Sequence, residues 1–378
     1  MTELPPLGLY VHWPYCARIC PYCDFNVALD RRAGEAEALH AAILADLEGQ
    51  TQASGPHRLV SIFFGGGTPS LMTPDQVFGI VGAARALFPS SSDMEVTLEA
   101  NPTDAEAARF EAFAQAGVNR LSLGVQALDD AALKFLGRNH GAAEAIRAAG
   151  IAGRVFPRMS LDLIYARPGQ TEAAWAEELK AAAALGPEHL SPYQLTIEPG
   201  TAFDRAVARQ SFLPADPDRA ARLYETTQSV LEAEGFEAYE VSNHARGEAA
   251  RSRHNLVYWR GQDYLGVGPG AHGRLTRDSL RSATETARDI PDYIRKVGET
   301  GTGLSLVEPL TPVEAAEERL LMGLRTVEGV SLAELQPLAL AKLPDLQEAG
   351  FVRVASERLL ATPMGRPVLD RVIEELAG

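Results

Sequence analysis

The sequence has very little cysteine, with three residues in a chain of 378. All three lie close together, as Cys16, Cys20 and Cys23. This number excludes a framework of disulfide bonds, and a compartment that keeps thiols reduced is the expected location. The chain also lacks a signal-peptide pattern at its start and any run near the roughly 20 consecutive apolar residues of a membrane helix. We therefore predict an untargeted, cytoplasmic protein.

Positive charge is also scarce. The chain has 35 Lys and Arg against 50 Asp and Glu, a formal net charge of -15. A surface this acidic repels the phosphate backbone, so we expect no nucleic-acid partner. The C-terminal stretch 305–378 is acidic as well, which argues against DNA binding there.

Short β-rich runs alternate with helical stretches over the first 200 residues, which predicts parallel strands joined by crossover helices. The predicted strands are 7–13, 58–64, 94–100, 119–125, 158–165 and 189–197. The predicted helices are 35–50, 74–88, 104–117, 142–153 and 171–186. We therefore predict an α/β fold with a partial (β/α)6 barrel.

The rhythm breaks after residue 198, and the rest of the chain is predicted to form two further parts. A helix at 216–235, a strand at 236–245 and a Gly/Pro-punctuated loop at 253–273 are expected first. The tail is predicted to contain helices at 313–326, 331–340, 342–349 and 364–377, with a hairpin at 351–363, an order that resembles a winged helix. The predicted domains are therefore a core at 1–200, an extension at 201–304 and a small C-terminal α+β domain at 305–378.

The C-x3-C-x2-C spacing of the cysteines predicts a metal site. Three thiolates at this spacing can hold three irons of a [4Fe-4S] cluster and leave one iron open. They can also bind zinc with His12 as a fourth ligand, or they can be inert buried thiols. The cluster is the favoured interpretation, because no other cysteine exists to close a structural zinc site.

Several polar groups and glycines follow the predicted strands, and parallel barrels collect functional groups at that edge. Gly66 and Gly67 in "GGGTPS" leave main-chain groups bare, although a glycine-rich turn is often only structural. Glu99 in "EANP" can accept from both hydroxyls of a ribose, or it is a solvated loop acid. A further set comprises Gln126, Asp162 and Arg138, of which Arg138 can bind a carboxylate or cap a helix. Together they predict a pocket for an amino acid joined to a nucleoside.

The chain resembles radical S-adenosylmethionine (SAM) proteins of the HemN/HemW group, which are related to oxygen-independent coproporphyrinogen III oxidase. The resemblance rests on "LYVHWPYCARICPYCDF", "FFGGGTPS", "LEANP", "RLSLGVQALDD", "LGRNH", "DLIYARPGQ", "HNLVYW" and "YLGVGPGAHG". It implies that Cys16, Cys20 and Cys23 hold a [4Fe-4S] cluster and that SAM chelates the fourth iron. The positions implied to contact SAM are Tyr10, Tyr22, Gly66, Gly67, Thr68, Glu99, Gln126, Arg138 and Asp162.

Two features distinguish the chain from the oxidase branch. Phe25 stands where the oxidase pattern has a fourth cysteine, and the first predicted strand begins almost at once, without the oxidase's N-terminal extension. Both features resemble the HemW branch, which is implied to bind haem and pass it to acceptor proteins. The resemblance associates "HNLVYW" with haem, through His254, Asn255, Tyr258 and Trp259, and His272 in "GAHG" is a further candidate for the iron.

Three functions are therefore weighed. The favoured one is a haem chaperone that binds a cluster, SAM and haem. The first alternative is oxidative decarboxylation of coproporphyrinogen III, and the second is a zinc-stabilised structural or interaction protein. The expected partners are SAM, haem or a porphyrinogen, an electron donor and a haem-acceptor protein, which can be membrane-associated.

Overall fold

The computed structural model describes residues 4–29, 34–104 and 106–378. Its strands, numbered in chain order, are β1 Pro6–Trp13, β2 Tyr15–Cys16, β3 Ala28–Leu29, β4 Arg58–Gly66, β5 Ser90–Ala100, β6 Arg120–Gln126, β7 Arg158–Tyr165, β8 His189–Gln194, β9 Glu237–Ala238, β10 His244–Ala245, β11 Asp263–Val267, β12 His272–Arg277, β13 Leu280–Thr286, β14 Leu304–Pro309, β15 Val330–Ser331, β16 Val352–Ala355 and β17 Arg358–Ala361.

Helices cover much of the remaining chain. They are α1 Glu35–Ser54, α2 Pro74–Leu87, α3 Ala107–Gln115, α4 Asp130–Phe135, α5 Ala142–Val155, α6 Glu172–Ala184, α7 Ala202–Ala208, α8 Pro217–Ala233, α9 Arg253–Trp259, α10 Ile290–Thr300, α11 Pro312–Leu324, α12 Leu343–Glu348 and α13 Leu369–Ala377. The predicted helix 104–117 includes residue 105, which lies outside the described residues.

One twelve-stranded sheet organises the molecule, in the order β14-β13-β12-β11-β1-β4-β5-β6-β7-β8-β10-β9. The six predicted strands correspond to β1, β4, β5, β6, β7 and β8, which pair in parallel and in chain order. The described sheet is open, with β14 and β9 at its edges. The prediction of a partial (β/α)6 barrel in an α/β fold is therefore confirmed.

Several helices begin where the sequence supplies both a side-chain cap and an apolar face. At the start of α2 the Thr73 hydroxyl accepts from the Gln76 backbone N–H, the Gln76 side chain accepts from the Thr73 N–H, and Pro74 occupies the first turn. Val77, Ile80 and other apolar residues of α2 are buried against the sheet. The crossover helices thus cover one side of the parallel strands, whose carboxyl ends meet at one edge.

The structure corrects three local predictions. Residues 236–245 form two short antiparallel strands, β9 and β10, rather than one strand. The predicted loop 253–273 contains helix α9 and strand β11, and β11 pairs in parallel with β1. The predicted helix 331–340 is mostly a series of turns. Pro337 lacks the N–H that a continuing helix needs. The prediction from the apolar pattern did not take this proline into account.

The C-terminal part has its own small sheet, β15-β17-β16, and its own apolar core. The hairpin predicted at 351–363 is present as β16 and β17, which turn through Ser356 and Glu357 with positive φ values of 50° and 59°. Together with α11, α12 and α13, this arrangement matches the winged-helix-like order expected. The domain boundaries remain predictions, and the main sheet itself continues through β14 to Pro309.

Candidate functional site

The loop that carries the cysteines is held against the glycine-rich loop after β4. The Gly67 N–H donates to the Trp13 carbonyl oxygen at 2.8 Å, and the Thr68 N–H donates to the Tyr15 carbonyl oxygen at 2.8 Å. A Cβ at Gly67 would lie 2.6 Å from the carbonyl oxygens of Pro14 and Tyr15. Glycine is therefore required here by close packing, because a side chain would push the two loops apart.

The three cysteines are free thiols at the carboxyl edge of β1. Cys16 is buried, and Cys20 and Cys23 are half-buried. Burial raises the pKa of the Cys16 thiol, and the side-chain hydrogen bond to Thr68 opposes this rise. Burial likewise raises the pKa of Cys23, to about 11.

Arg138 links the cysteine loop to the ends of β5 and β6. Its Nη1 donates to Cys20 Sγ at 3.2 Å, and its Nη2 donates to the Asn101 side-chain oxygen and to the Gly124 carbonyl oxygen. The Asn101 side chain in turn donates to the Thr68 hydroxyl at 3.1 Å. Arg138 Nε is buried and has no partner within the described residues, so one guanidinium donor remains available.

Tyr22 and Gln126 lie beside Arg138. Tyr22 is hydrogen bonded to both Arg138 and Cys20, and burial raises its pKa. Gln126 ends β6 with φ at 65°, in the left-handed region that non-glycine residues rarely adopt. A Cβ at Gly124 would lie 3.0 Å from Gln126 Nε2 and 3.5 Å from Arg138 Nη2, which places the two side chains together above Gly124.

Two carboxylates lie at the centre of the same edge. Burial, with the charge of Asp162 in second place, raises the pKa of Glu99 to about 8, although the Gly66 N–H donates to it. Burial raises the pKa of Asp162 to about 6, against hydrogen bonds from Ser122 and Ser191. The Ser122 hydroxyl donates to Asp162 Oδ2 at 2.9 Å. Both side chains keep some contact with solvent. The oxygens of both carboxyl groups are acceptors suited to hydroxyl or ammonium donors.

Tyr10 and His12 follow one another on the same side of β1. His12 Nε2 donates to the Asn26 carbonyl oxygen at 2.8 Å, so its Nδ1 accepts from the Tyr10 hydroxyl at 3.1 Å. The Asn26 side chain donates to the carbonyl oxygens of Pro269 and Arg288, both at 2.9 Å. This bridge fastens the cysteine loop to the chain after β11. Burial, and then the charge of Glu99, raises the pKa of Tyr10.

Helix α9 carries the "HNLVYW" motif, and its start is anchored by two acceptors. The Ser252 hydroxyl accepts from the Asn255 N–H at 3.3 Å. The buried Glu95 carboxylate accepts from the N–H groups of Arg253 and His254. Arg158 Nη1 donates to Glu95 at 2.6 Å. The helix therefore has a fixed position and rotation against β4 and β5.

His254 lies beneath Tyr258 rather than at a surface. Its Nδ1 is 2.9 Å from the Ser61 hydroxyl and its Nε2 is 2.6 Å from the Tyr258 hydroxyl. Burial lowers the pKa of His254 to about 4, so the ring is neutral at physiological pH. Its ring stacks on Phe63 with centroids 5.1 Å apart. His254 thus fixes the position of Tyr258, whose ring also meets Tyr264 edge to face.

A cavity of about 470 Å³ opens at this edge and brings the two predicted sets of residues together. From the set assigned to SAM it is lined by Tyr10, Gly66 and Glu99. From the candidates for haem it is lined by Tyr258, Trp259 and His272. The remaining lining residues are His12, Phe25, Asn26, Tyr264, Gly270, Arg281, Arg288, Glu318 and Met322. The cavity has the size of a small-molecule site.

The other predicted residues do not line the cavity. They are Cys16, Cys20, Cys23, Tyr22, Gly67, Thr68, Gln126, Arg138, Asp162, His254 and Asn255. Sequence reasoning missed Phe25, Tyr264 and Met322 as apolar lining. Tyr264 belongs to the motif "YLGVGPGAHG", which could have indicated it. Met322 belongs to the C-terminal part, and nothing in the sequence pattern indicated that it lines the site.

Within 4–29, 34–104 and 106–378, no group of three or more His, Cys, Asp or Glu side chains is arranged to hold one ion. His12, the predicted fourth zinc ligand, uses both ring nitrogens in hydrogen bonds.

In the part of the chain that the structure describes, no helix combines the length and apolar character needed to cross a bilayer.

Comparison with known proteins places the chain in a family. The pattern of the Radical SAM superfamily matches residues 10–182, and that of the HemN C-terminal domain matches residues 310–368. The chain belongs to the radical SAM superfamily, in the family that contains the HemW proteins. Membership confirms the resemblance stated from the motifs, and it implies a [4Fe-4S] cluster, SAM and a source of electrons.

Particular relatives cover most or nearly all of the chain. The "Heme chaperone HemW" of Bacillus subtilis is 33% identical over 379 residues, 98% of each chain. The HemW of Escherichia coli is 42% identical over 73% of this chain and 72% of its own. The "Radical S-adenosyl methionine domain-containing protein 1, mitochondrial" of Bos taurus is 40% identical over 98% of this chain and 87% of its own.

The solved structure of coproporphyrinogen III oxidase (HemN) from Escherichia coli superposes with a TM-score of 0.82. The match covers 99% of this chain and 90% of the oxidase, at 21% sequence identity. At this identity the likeness establishes the fold alone. The winged-helix-like order and the open sheet are therefore shared with a radical SAM fold.

Proposed function

We propose that this protein is a haem chaperone, which binds a [4Fe-4S] cluster, SAM and haem and transfers haem to acceptor proteins. One observation carries the proposal: a single cavity is lined both by Glu99 and Gly66, on the side assigned to SAM, and by Tyr258 and Trp259 of the HemW-associated motif. The names of the HemW relatives support it.

The residues present fit a cluster and SAM. Three free thiols on one loop are soft ligands, and Arg138 and Thr68 supply hydrogen-bond donors to two of them. Cys16, Cys20 and Cys23 would hold the cluster, which supplies electron transfer to SAM when bound.

On the SAM side, each group has a distinct task. Glu99 accepts hydrogen bonds from the ribose hydroxyls, and the unpartnered Nε of Arg138 is available to a carboxylate. Burial, and then the charge of Asp162, raises the pKa of Glu99 and so disfavours its ionisation. Tyr10, Tyr22, Gly66, Gly67, Thr68 and Gln126 complete the proposed set.

On the haem side, Tyr258 and Trp259 provide aromatic surface for a macrocycle. His254 and Asn255 are proposed to act by position: His254 holds the Tyr258 hydroxyl, and the Asn255 N–H closes the cap of α9. We also propose a haem-acceptor partner, membrane-associated or not, and a cytoplasmic location. The location is kept as a proposal because the Bos taurus relative is named mitochondrial.

The test uses anaerobic protein with a reconstituted cluster. Hemin is added at one equivalent, free hemin is removed on a desalting column, and a haem-free globin is then supplied as acceptor. We expect stoichiometric hemin on the protein, followed by a globin Soret band. Retention of no hemin by protein with four irons per chain would refute the proposal.

The same preparation decides between the alternatives. With SAM, a low-potential reductant and coproporphyrinogen III, mass spectrometry would find a decarboxylated tetrapyrrole over many turnovers if the protein is an oxidase. Before reconstitution, a colourless purified protein with one zinc and no iron would instead support the zinc-stabilised alternative. A known oxidase in parallel tubes is the positive control.

A further inference from the structure

We infer that His272 and Arg288 form the polar end of the haem site, with His272 as a ligand of the iron and Arg288 as the partner of a haem propionate. This inference rests on the proposed function, because it assigns residues within the same cavity. Both residues line that cavity together with Trp259.

His272 is the histidine at the cavity whose ring is free to bind. No hydrogen bond of its ring is present within the described residues, and its side chain is 60% exposed. The other cavity histidine, His12, uses both nitrogens in hydrogen bonds, as does the buried His254 beneath Tyr258. Either of those rings would have to give up at least one hydrogen bond to reach iron, whereas His272 gives up none.

A carboxylate stands ready to orient the His272 ring. Glu285 lies directly opposite His272 in the β12–β13 ladder, with its Oε1 3.8 Å from His272 Nε2. A histidine ligand is commonly oriented by a carboxylate on its other side, which also makes it a stronger donor to the metal.

Arg288 is the unpaired cation at the same opening. Its guanidinium has no hydrogen bond or ion pair within the described part of the chain, although its carbonyl oxygen is held by the Asn26 side chain. Arg281, the other arginine of the lining, is already paired with Asp263 and Glu318. In a chain of net charge -15, an unpaired arginine at a cavity mouth is a distinct anion-binding feature.

The backbone brings the two groups to one side of the cavity. The Gly270 N–H donates to the Ala287 carbonyl oxygen at 3.0 Å, and the Thr286 N–H donates to the Ala271 carbonyl oxygen at 2.9 Å. Residues 270–272 and 285–288 are therefore adjacent. The apolar lining beside them includes Trp259, whose ring also lies under Arg325 with 4.9 Å between the guanidinium carbon and the ring centroid. This combination of an imidazole, a cation and aromatic surface matches an iron porphyrin with anionic edge groups.

The test titrates cluster-loaded protein with three probes: hemin, hemin dimethyl ester and iron-free protoporphyrin IX. His272→Gly is expected to weaken hemin about tenfold and to shift its Soret band, while protoporphyrin IX affinity is unchanged. Added imidazole should restore the wild-type spectrum. Arg288→Gln is expected to weaken hemin and protoporphyrin IX about fivefold, the effect of one exposed ion pair, but not the ester.

His40→Ala and Arg147→Gln are matched controls, since neither residue lines the cavity. Urea midpoints confirm that all variants are folded. Failure of the unaltered protein to bind hemin would refute the proposed function and this inference together. Normal binding by the unaltered protein, with unchanged spectra and affinities in both cavity variants, would overturn the inference and leave the proposed function standing.

Discussion

Replacing Glu99 by Gln is expected to stabilise the fold at alkaline pH and to weaken SAM binding at the same time. The carboxyl group is held beside Asp162 in surroundings that disfavour its ionisation, and its pKa is raised from 4.5 to about 8, chiefly by burial. Glutamine keeps the shape of the protonated acid but cannot ionise. The substitution therefore removes the free-energy cost of ionising a buried carboxyl group, which the unaltered protein carries at alkaline pH.

The sign and size follow from proton linkage. The folded state holds the proton more tightly than the unfolded state, so the stability contributed by Glu99 is complete below about pH 4.5 and is lost as the pH rises to about 8. The rise in pKa corresponds to at most about 5 kcal/mol. Because Glu99 still meets water at the cavity, we expect about half of this, roughly 2 kcal/mol at pH 8.

Equilibrium urea denaturation of the cluster-free, reduced protein at pH 5, 6.5 and 8 measures this effect. The unaltered protein and Glu99→Gln should have similar free energies of unfolding at pH 5 and diverge toward pH 8. Glu111→Gln, an exposed acid on α3, is the matched control and should follow the unaltered protein.

Calorimetry on cluster-loaded protein then measures SAM. At a pH where Glu99 is ionised, loss of this charged acceptor is expected to cost about 1.5–3 kcal/mol, which is tenfold or more in affinity. A stability difference that does not change between pH 5 and pH 8 would refute the electrostatic reasoning. Unchanged SAM affinity would remove Glu99 from the proposed site.

Three further perturbations test other parts of the molecule. Cys20→Ala should abolish the cluster; four irons per chain with retained broad absorption near 400 nm would contradict the ligand assignment. Trp259→Ala should weaken hemin binding measured by absorbance while SAM affinity stays intact, and the reverse pattern would discredit the proposed division of the cavity. Asp46→Ala should lower the free energy of unfolding by about 3 kcal/mol in urea, because it leaves the buried Tyr293 hydroxyl and the Gly303 N–H without their acceptor. A loss within 0.5 kcal/mol would show that water replaces the lost contacts.

The central part of the fold could be predicted because its signals are local. Each of the six parallel strands is an apolar run followed by a helical stretch, and such units can be recognised directly from the sequence. Strands β11 to β14 could not be predicted in this way. Strand β11 pairs in parallel with β1, which is far away along the chain, and the turn-rich "GVGPGAHG" hides the end of β11, beside which β12 to β14 add as successive antiparallel strands. Helix α9, with seven residues, is too short for its period to be recognised.

The residues of the candidate site fall into the same two groups, those that local sequence signals indicate and those that only the tertiary fold brings to the site. Glu99 and Gly66 could be named because parallel strands end at one edge, and the structure brings both to the cavity. The contribution of Arg288 and Met322 could not, since each reaches the cavity from a segment whose packing the sequence does not reveal. For His254, the sequence supplied only the residue type and its place in the motif. Its hydrogen bonds to Ser61 and Tyr258 could not be predicted, because they depend on the tertiary fold.

The parallel pairing of β1 with β11 has a consequence for biosynthesis. The Asn26 side chain bonds to Pro269, 243 positions later, so the cysteine loop cannot acquire its final neighbours while the first βα units leave the ribosome. Closing so large a loop is a late and slow event in folding. A nascent chain would therefore expose its three thiols before the segment that supplies the final neighbours of the cysteine loop has been synthesised.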